Sequence, residues 1–336
     1  MQATGLMQAD GQMKALFYTE YGSADVLELK EMEKPVPKDN EVLVKVQAAS
    51  INYIDGQALT GESFFIRLTT LGLRKPRKKM LGDDFAGRIE AVGRNVKQFE
   101  PGDEVFGLCN TGAFAEYRCV AADKGVLARK PANVSFEEAS TLPTAGITAL
   151  QGIRNKGQVS PGQKVLINGA SGGVGMIAVQ IAKSLGAEVT GECSTSKMEM
   201  VRSIGADHVI DYTRENFTKK GPGYDMIFAV GGYRPILDYK RALSPNGRYV
   251  CAGGSLAQFV QSLLLGPLVS MRGDKKLGSI GLARPNQEDF EFLAALVGDG
   301  RLVPFIDRRY PLSEAAEALR YYGEGHSKGK VVITIG

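Results

Sequence analysis

The chain has 336 residues, 43% of them apolar and 23% charged, with a net charge of +4, four cysteines, two histidines and no low-complexity tract. Its length suggests about two domains and its composition an ordinary soluble globular protein rather than a disordered one. The weak, scattered charge argues against a nucleic-acid partner, and no stretch approaches the roughly 20 apolar residues of a membrane span.

The opening, MQATGLMQADGQ, has no basic segment followed by an apolar run, so it does not read as a secretory signal. Residues 1–12 read as an N-terminal tail, with an organelle-targeting remnant left open. From residue 13 to about 136 the pattern is short strands and turns. EVLVKVQAAS, FAGRIEAVG, FEPGDEVFG and GAFAEYRCV are β-rich runs broken by glycine. Within NYID, Asn52 and Tyr53 offer hydrogen-bond donors and Asp55 an anchor for the loop. The same residues also suit plain turn bracing through their own backbone. SFFIRLTTLGL reads as an aromatic lid over a flat substrate or as a small helix burying Phe64, Phe65 and Leu68. The basic run Arg74 to Lys79 reads as a solvated loop. Cys109, Cys119, Cys193 and Cys251 form no CxxC pair and no zinc-knuckle spacing, so the chain is expected to work reduced and cytoplasmic, with no metal.

From 138 to 280 strand and helix patterns alternate. KVLINGA is a continuous apolar run, GMIAVQIAKSLGA has Ile177, Ile181 and Leu185 at helical spacing, and EVTGEC, HVIDY, YDMIFAVGG, RYVCAGG and KKLGSI follow as strands. This predicts a doubly wound parallel sheet, an α/β Rossmann nucleotide domain. Its first turn, Ala170, Ser171, Gly172, Gly173, Val174 and Gly175, is a dinucleotide fingerprint with alanine in place of the first glycine. Gly172 would admit the pyrophosphate, Gly175 would pack the helix on the strand, and the helix N–H groups would face the phosphate charge. The end of the second strand selects the cofactor. Glu192 as the ribose ligand means NAD; a slot at Cys193 or Ser194, with Ser194, Lys197 and Tyr212 around it, means a 2′-phosphate. A lysine in a first helical turn is disfavoured by the helix dipole, which favours a phosphate partner, and NADPH is the expected cofactor. Val230 and Gly231, and Ala252, Gly253 and Gly254, end later strands where ligands gather. Tyr233 faces the same cleft. Cys193 and Cys251 read as buried fillers, His208 as structural, and Lys330 as a surface lysine by default that could reach the cofactor.

PGDEVFG, GAFAEY and ASGGVG in this order, with the ending GHSKGKVVITIG, resemble the medium-chain dehydrogenase/reductase superfamily over essentially the whole chain beyond residue 12. The resemblance implies a GroES-like β-rich catalytic domain at 13–137 and 281–336, with the nucleotide domain at 138–280 inserted and the active cleft between them. Where zinc-dependent members carry Cys, a His-Glu pair and a second Cys, this chain has Asn52, Asp83 with Asp84, and Thr144, a poor set for zinc. These departures match the zinc-independent quinone oxidoreductase branch, ζ-crystallin-like and alkenal-reductase-like proteins. The implied activity is NADPH-dependent, metal-independent hydride transfer to a small electrophile, a quinone or an α,β-unsaturated carbonyl. The resemblance also sets Thr148 against the nicotinamide. A zinc-independent alcohol or acyl-enoyl reductase and a non-catalytic NADPH-binding protein stay open, as does a homodimer.

Overall fold

The computed structural model describes residues 11–62, 67–219, 221, 223–271 and 273–336. Strands β1 (Gln12–Phe17) and β2 (Glu28–Glu33) form an antiparallel ribbon, and β1 opens at Gln12, the last residue of the stretch read as a tail. β3 (Glu41–Ser50) is followed by helix α1 (Tyr53–Thr60), then β4 (Asp84–Val92), β5 (Glu104–Leu108), β6 (Tyr117–Ala121) and β7 (Leu127–Arg129). In β3, Val42, Val44, Val46 and Ala48 are all buried, the period-two inward face that half-covered strands require.

Helices α2 (Phe136–Ser140) and α3 (Pro143–Leu150) lead out of this region. Ser135 and Glu138 close a reciprocal capping box at the start of α2, and Pro143 opens α3 at a position where its missing N–H has no consequence. The βα alternation then runs β8 (Lys164–Asn168), α4 (Gly173–Ser184), β9 (Glu188–Cys193), α5 (Met198–Ser203), β10 (His208–Asp211), β11 (Tyr224–Ala229), α6 (Ile236–Ala242), β12 (Leu243–Cys251), α7 (Leu256–Ser270) and β13 (Lys276–Ser279). Every strand expected from 138 to 280 is present. The chain closes with α8 (Gln287–Gly298), β14 (Ile306–Pro311), α9 (Ala315–Gly323) and β15 (Lys330–Thr334).

The fold is α/β, a GroES-like β-rich part and a parallel-sheet nucleotide-binding part. β8 to β13 form a six-stranded parallel sheet in the order β10-β9-β8-β11-β12-β13. Registers Asn168↔Glu192, Asn168↔Ala229 and Ala229↔Cys251 end four strands on one line, so their turns emerge side by side. The other sheet runs β14-β15-β3-β4-β5-β7, with β6 also on β3. β15 pairs antiparallel with β3, placing Val332 opposite Ser50 and bringing Lys330 beside Ile51, 279 residues earlier in the chain. One hydrophobic cluster joins the sheets: Ala86 and Phe106 from the β-rich side belong with Ile167, Met176 and Phe290, and Phe106 meets Phe290 edge-on at 5.7 Å. Of the stretch read as lid or helix, Leu68 is exposed, while Phe64 and Phe65 lie outside the described residues.

Candidate functional site

After β8 the chain turns through Gly169, whose φ of +82° is left-handed. A Cβ there would also stand 2.9 Å from the nitrogen of Gly231, so two βα turns touch at a point only glycines allow. The N–H groups of Gly169 and Ala170 donate to the carbonyl of Glu192 at 3.1 and 3.0 Å, which ties the turn to β9. Gly172 stands at the N-cap of α4, and no side chain caps the helix. A Cβ on Gly172 would meet nothing nearer than the Gly169 carbonyl oxygen at 3.6 Å; on Gly175 it would lie 2.1 Å from that oxygen. The first position leaves space in front of the helix N–H groups, and the second presses helix on turn. An uncapped helix N-terminus with open space before it fits a pyrophosphate.

The remaining turns join this edge. A Cβ on Gly253 would lie 2.9 Å from the Val230 carbonyl oxygen, and Gly254 at φ +95° crowds Gly232. Ala170–Gly175, Val230–Gly231 and Ala252–Gly254 are thus one contiguous rim, with Tyr233 exposed beyond it. At the end of β9 and β10, Tyr212 is exposed and its N–H donates to the Cys193 carbonyl at 3.1 Å. Ser194 and Lys197 are half-buried beside it. Lys197 Nζ donates to the Ser327 carbonyl at 2.8 Å, and burial lowers its pKa against the opposing pull of Asp307. Glu192 is only 1% exposed, its carboxylate accepting from Asn168 Nδ2 and from Arg234 Nη2 at 2.7 Å. It is therefore not an open ribose acceptor.

Asn52 and Lys330 meet at the junction of the two sheets. A Cβ on Gly173 would touch Lys330 Cδ at 2.9 Å, so the lysine stem passes directly over the start of α4. Its Nζ donates to the Ile51 carbonyl at 3.0 Å and to Asn52 Oδ1 at 2.6 Å, and lies 3.9 Å from Asp84 Oδ2. Asp84 also accepts from the Thr144 N–H at 3.1 Å and from Thr144 Oγ1 at 2.5 Å. Burial pushes the Asp84 carboxyl up, with Lys330 opposing, and pushes the Lys330 amine down. Thr148, half-buried, follows Thr144 by one turn on the same face of α3.

The NYID loop does what turn chemistry suggests. The Asn52 N–H donates to Asp55 Oδ2 at 2.8 Å and the Gly82 N–H to Asp55 Oδ1 at 3.0 Å. Burial, reinforced by the charges of Asp83 and Asp84, pushes Asp55 up to about 7; Asp83 is pushed up to about 6 by burial and by Asp84. Asn52 is buried, its Nδ2 making a 3.4 Å contact with the Ser50 carbonyl and supporting the Asp84 carboxylate. Tyr53, by contrast, is 66% exposed at the first position of α1. Among the described residues no group of three or more His, Cys, Asp or Glu side chains could hold a metal ion. His208 is exposed at the start of β10, its Nε2 3.1 Å from Glu188 Oε1, and Cys193 and Cys251 are buried. A hollow of about 370 Å³ lined by Lys164, Thr190, His208 and Tyr224 opens at the amino-terminal ends of the parallel strands, the wrong end for a nucleotide.

Sequence reasoning missed Arg234, Asn168 and Ser50. Each acts on a partner already singled out, and the only signal in the sequence was an acidic residue inside an otherwise buried strand, which demands a partner.

The profile of the alcohol dehydrogenase GroES-like domain matches residues 38–132, and that of a zinc-binding dehydrogenase matches residues 204–333. The chain is 35% identical to a chloroplast envelope quinone oxidoreductase homolog of Arabidopsis thaliana, covering 96% of this chain and 98% of the relative. It is 32% identical to the chloroplastic NADPH-dependent alkenal/one oxidoreductase of the same plant, over 96% of this chain and 79% of that one. The solved quinone oxidoreductase from Coxiella burnetii superposes with a TM-score of 0.84 at 29% identity, covering 97% of this chain and 100% of its own.

Proposed function

The chain belongs to the medium-chain dehydrogenase/reductase superfamily, in its quinone oxidoreductase branch, and from that premise we propose that it is an NADPH-dependent, metal-independent reductase of quinones or α,β-unsaturated carbonyls. The observation that carries this reading is the contact of Lys330 with both Gly173 and Asn52. It sets the donor-bearing loop of the β-rich part directly against the glycine turn. Bound NADPH would supply the hydride.

The residues then divide the remaining work. The uncapped start of α4 and the rim of glycine turns hold the pyrophosphate, and Ser194, Lys197 and Tyr212 surround the adenosine ribose. Thr148 faces the nicotinamide. Tyr53, the accessible donor, hydrogen-bonds the electrophile's oxygen as negative charge grows there, and Asn52, Asp55 and Lys330 fix the loop that carries it. Asn52, Asp84 and Thr144, which stand where zinc-dependent relatives carry ligands, form hydrogen bonds among themselves, which supports metal independence.

The apolar outer face of α7, with Leu256, Leu264, Leu268 and Met271 exposed beside the edge strand β13, supports a homodimer. Four free thiols suit a reducing, cytoplasm-like compartment.

The test is NADPH oxidation by chelator-treated protein against quinones and enones. Turnover that persists, and that falls roughly 10- to 100-fold in Tyr53→Phe with NADPH affinity unchanged, is expected. Activity lost on chelation and restored by zinc would overturn the metal-independent reading; tight NADPH binding without any turnover would point to a non-catalytic binder.

A further inference from the structure

Glu192 is the penultimate residue of β9, the strand near whose end a dinucleotide fold ordinarily carries an acid that accepts hydrogen bonds from the adenosine ribose. Here that carboxylate is turned along the sheet instead. Its oxygens meet Asn168 Nδ2 at the end of the neighbouring strand β8 and, across β8, Arg234 Nη2 at 2.7 Å in the turn after β11. The main chain of Glu192 meanwhile stays at the cofactor turn, accepting from Gly169 and Ala170. The residue thus braces the phosphate turn with its backbone and keeps its charge away from it.

Arg234 is itself held in place. Its N–H donates to Gln258 Oε1 at 3.2 Å, its carbonyl accepts from Gln261 Nε2, and its guanidinium lies 4.9 Å from the centre of the Phe217 ring. The two glutamines belong to α7, so a neighbouring helix fixes the Arg234 main chain while the Phe217 ring flanks its guanidinium. Its side chain is 20% exposed against 1% for Glu192, which puts the cation on the outer side of the pair. A carboxylate that is 1% exposed cannot stay charged in place without its partner, and without Arg234 the nearest cation and donors on β9's open end are those of Lys197, Ser194 and Tyr212. There it would accept from a 2′-hydroxyl and repel a 2′-phosphate.

We infer that Arg234 determines cofactor specificity: by pairing with Glu192 across the end of β8 it withdraws and neutralises the carboxylate, leaving the adenosine end of the site compatible with a 2′-phosphate. The inference rests on the NADPH reading above and gives that reading a cause other than Lys197.

The test uses binding, not turnover: calorimetric titration of the whole protein with 2′,5′-ADP and with 5′-AMP, which differ only in the 2′-phosphate. Wild type is expected to favour 2′,5′-ADP. Arg234→Gln is expected to lower that preference at least about tenfold. Glu192→Gln is expected to leave it within about twofold of wild type, and Glu192→Gln combined with Arg234→Gln to restore it. Equal loss of both ligands in Arg234→Gln, without restoration in the double variant, would show a purely structural pair and overturn the inference. Should Arg234→Gln not fold, Glu192→Gln decides alone, because a tenfold rise in preference would mean that the carboxylate already faces the ribose. Wild type that binds both fragments equally would sink the NADPH reading itself, whereas the change on losing Arg234 reports on the pair separately.

Discussion

At the scale of single residues, buried Asp55 and half-buried Asp83 beside Asn52 decide how the protein answers to pH. Asp55 and Asp83 have carboxyl groups pushed up to about 7 and about 6 from an ordinary 3.8. The folded chain therefore holds protons that the unfolded chain has already released between about pH 4 and pH 7. Stability contributed by these groups is present at the acidic end of that window and is lost as pH rises through it. The expected result is a urea-unfolding midpoint, corrected against Asp55→Asn, that falls from pH 5 to pH 8, with a total change on the order of a few kcal/mol. A difference that stays flat from pH 5 to pH 8 would mean that Asp55 is ionised throughout and stabilised by its two backbone donors. Tyr53 is the opposite kind of residue, 66% exposed, which is why the donor's role is proposed for it.

At the scale of elements, the turn between β8 and α4 separates packing from binding. Gly172→Ala adds a methyl that meets nothing closer than 3.6 Å, at a backbone φ of −84° that alanine adopts freely. Thermal stability should stay within about 0.5 kcal/mol of wild type, while NADPH affinity falls because the methyl occupies the approach to the helix start. Gly175→Ala places its methyl 2.1 Å from a backbone oxygen. It should cost about 2 kcal/mol or more in unfolding free energy as well as cofactor affinity. Differential scanning fluorimetry and a fluorescence titration on both variants check the contrast; equal behaviour would show that the two glycines do not have separate duties. This turn was legible in the sequence because strand, glycines and helix are local signals. The partners of Glu192 and Asn52 were not, because Arg234 lies 42 residues and Lys330 278 residues away. No local pattern encodes which cation a buried acid or amide will meet; strand order does, and strand order is a property of the completed sheets.

At the scale of the whole molecule, the outer face of α7 and the open edge of β13 are the surface most in need of a partner. Leu256, Leu263, Leu264 and Leu268 are each more than half exposed there, and Met271 is 80% exposed, a cluster of apolar side chains of the kind that marks an interface. Leu264→Glu with Leu268→Glu should abolish the proposed self-association in sedimentation velocity without disturbing NADPH binding; a sedimentation coefficient equal to that of the wild type would place any interface elsewhere. The β15–β3 pairing carries a different consequence, one about synthesis. Lys330 reaches back 279 residues to Ile51, so β3 must wait beside an empty neighbour while the intervening chain is made. The parallel sheet, contained between Lys164 and Ser279, can close well before that. A chain that ends short of residue 330 can therefore complete its nucleotide turn while its Asn52 loop keeps the Asp55 brace but lacks the Lys330 tie to that turn, so cofactor binding and turnover are expected to part company in such a fragment.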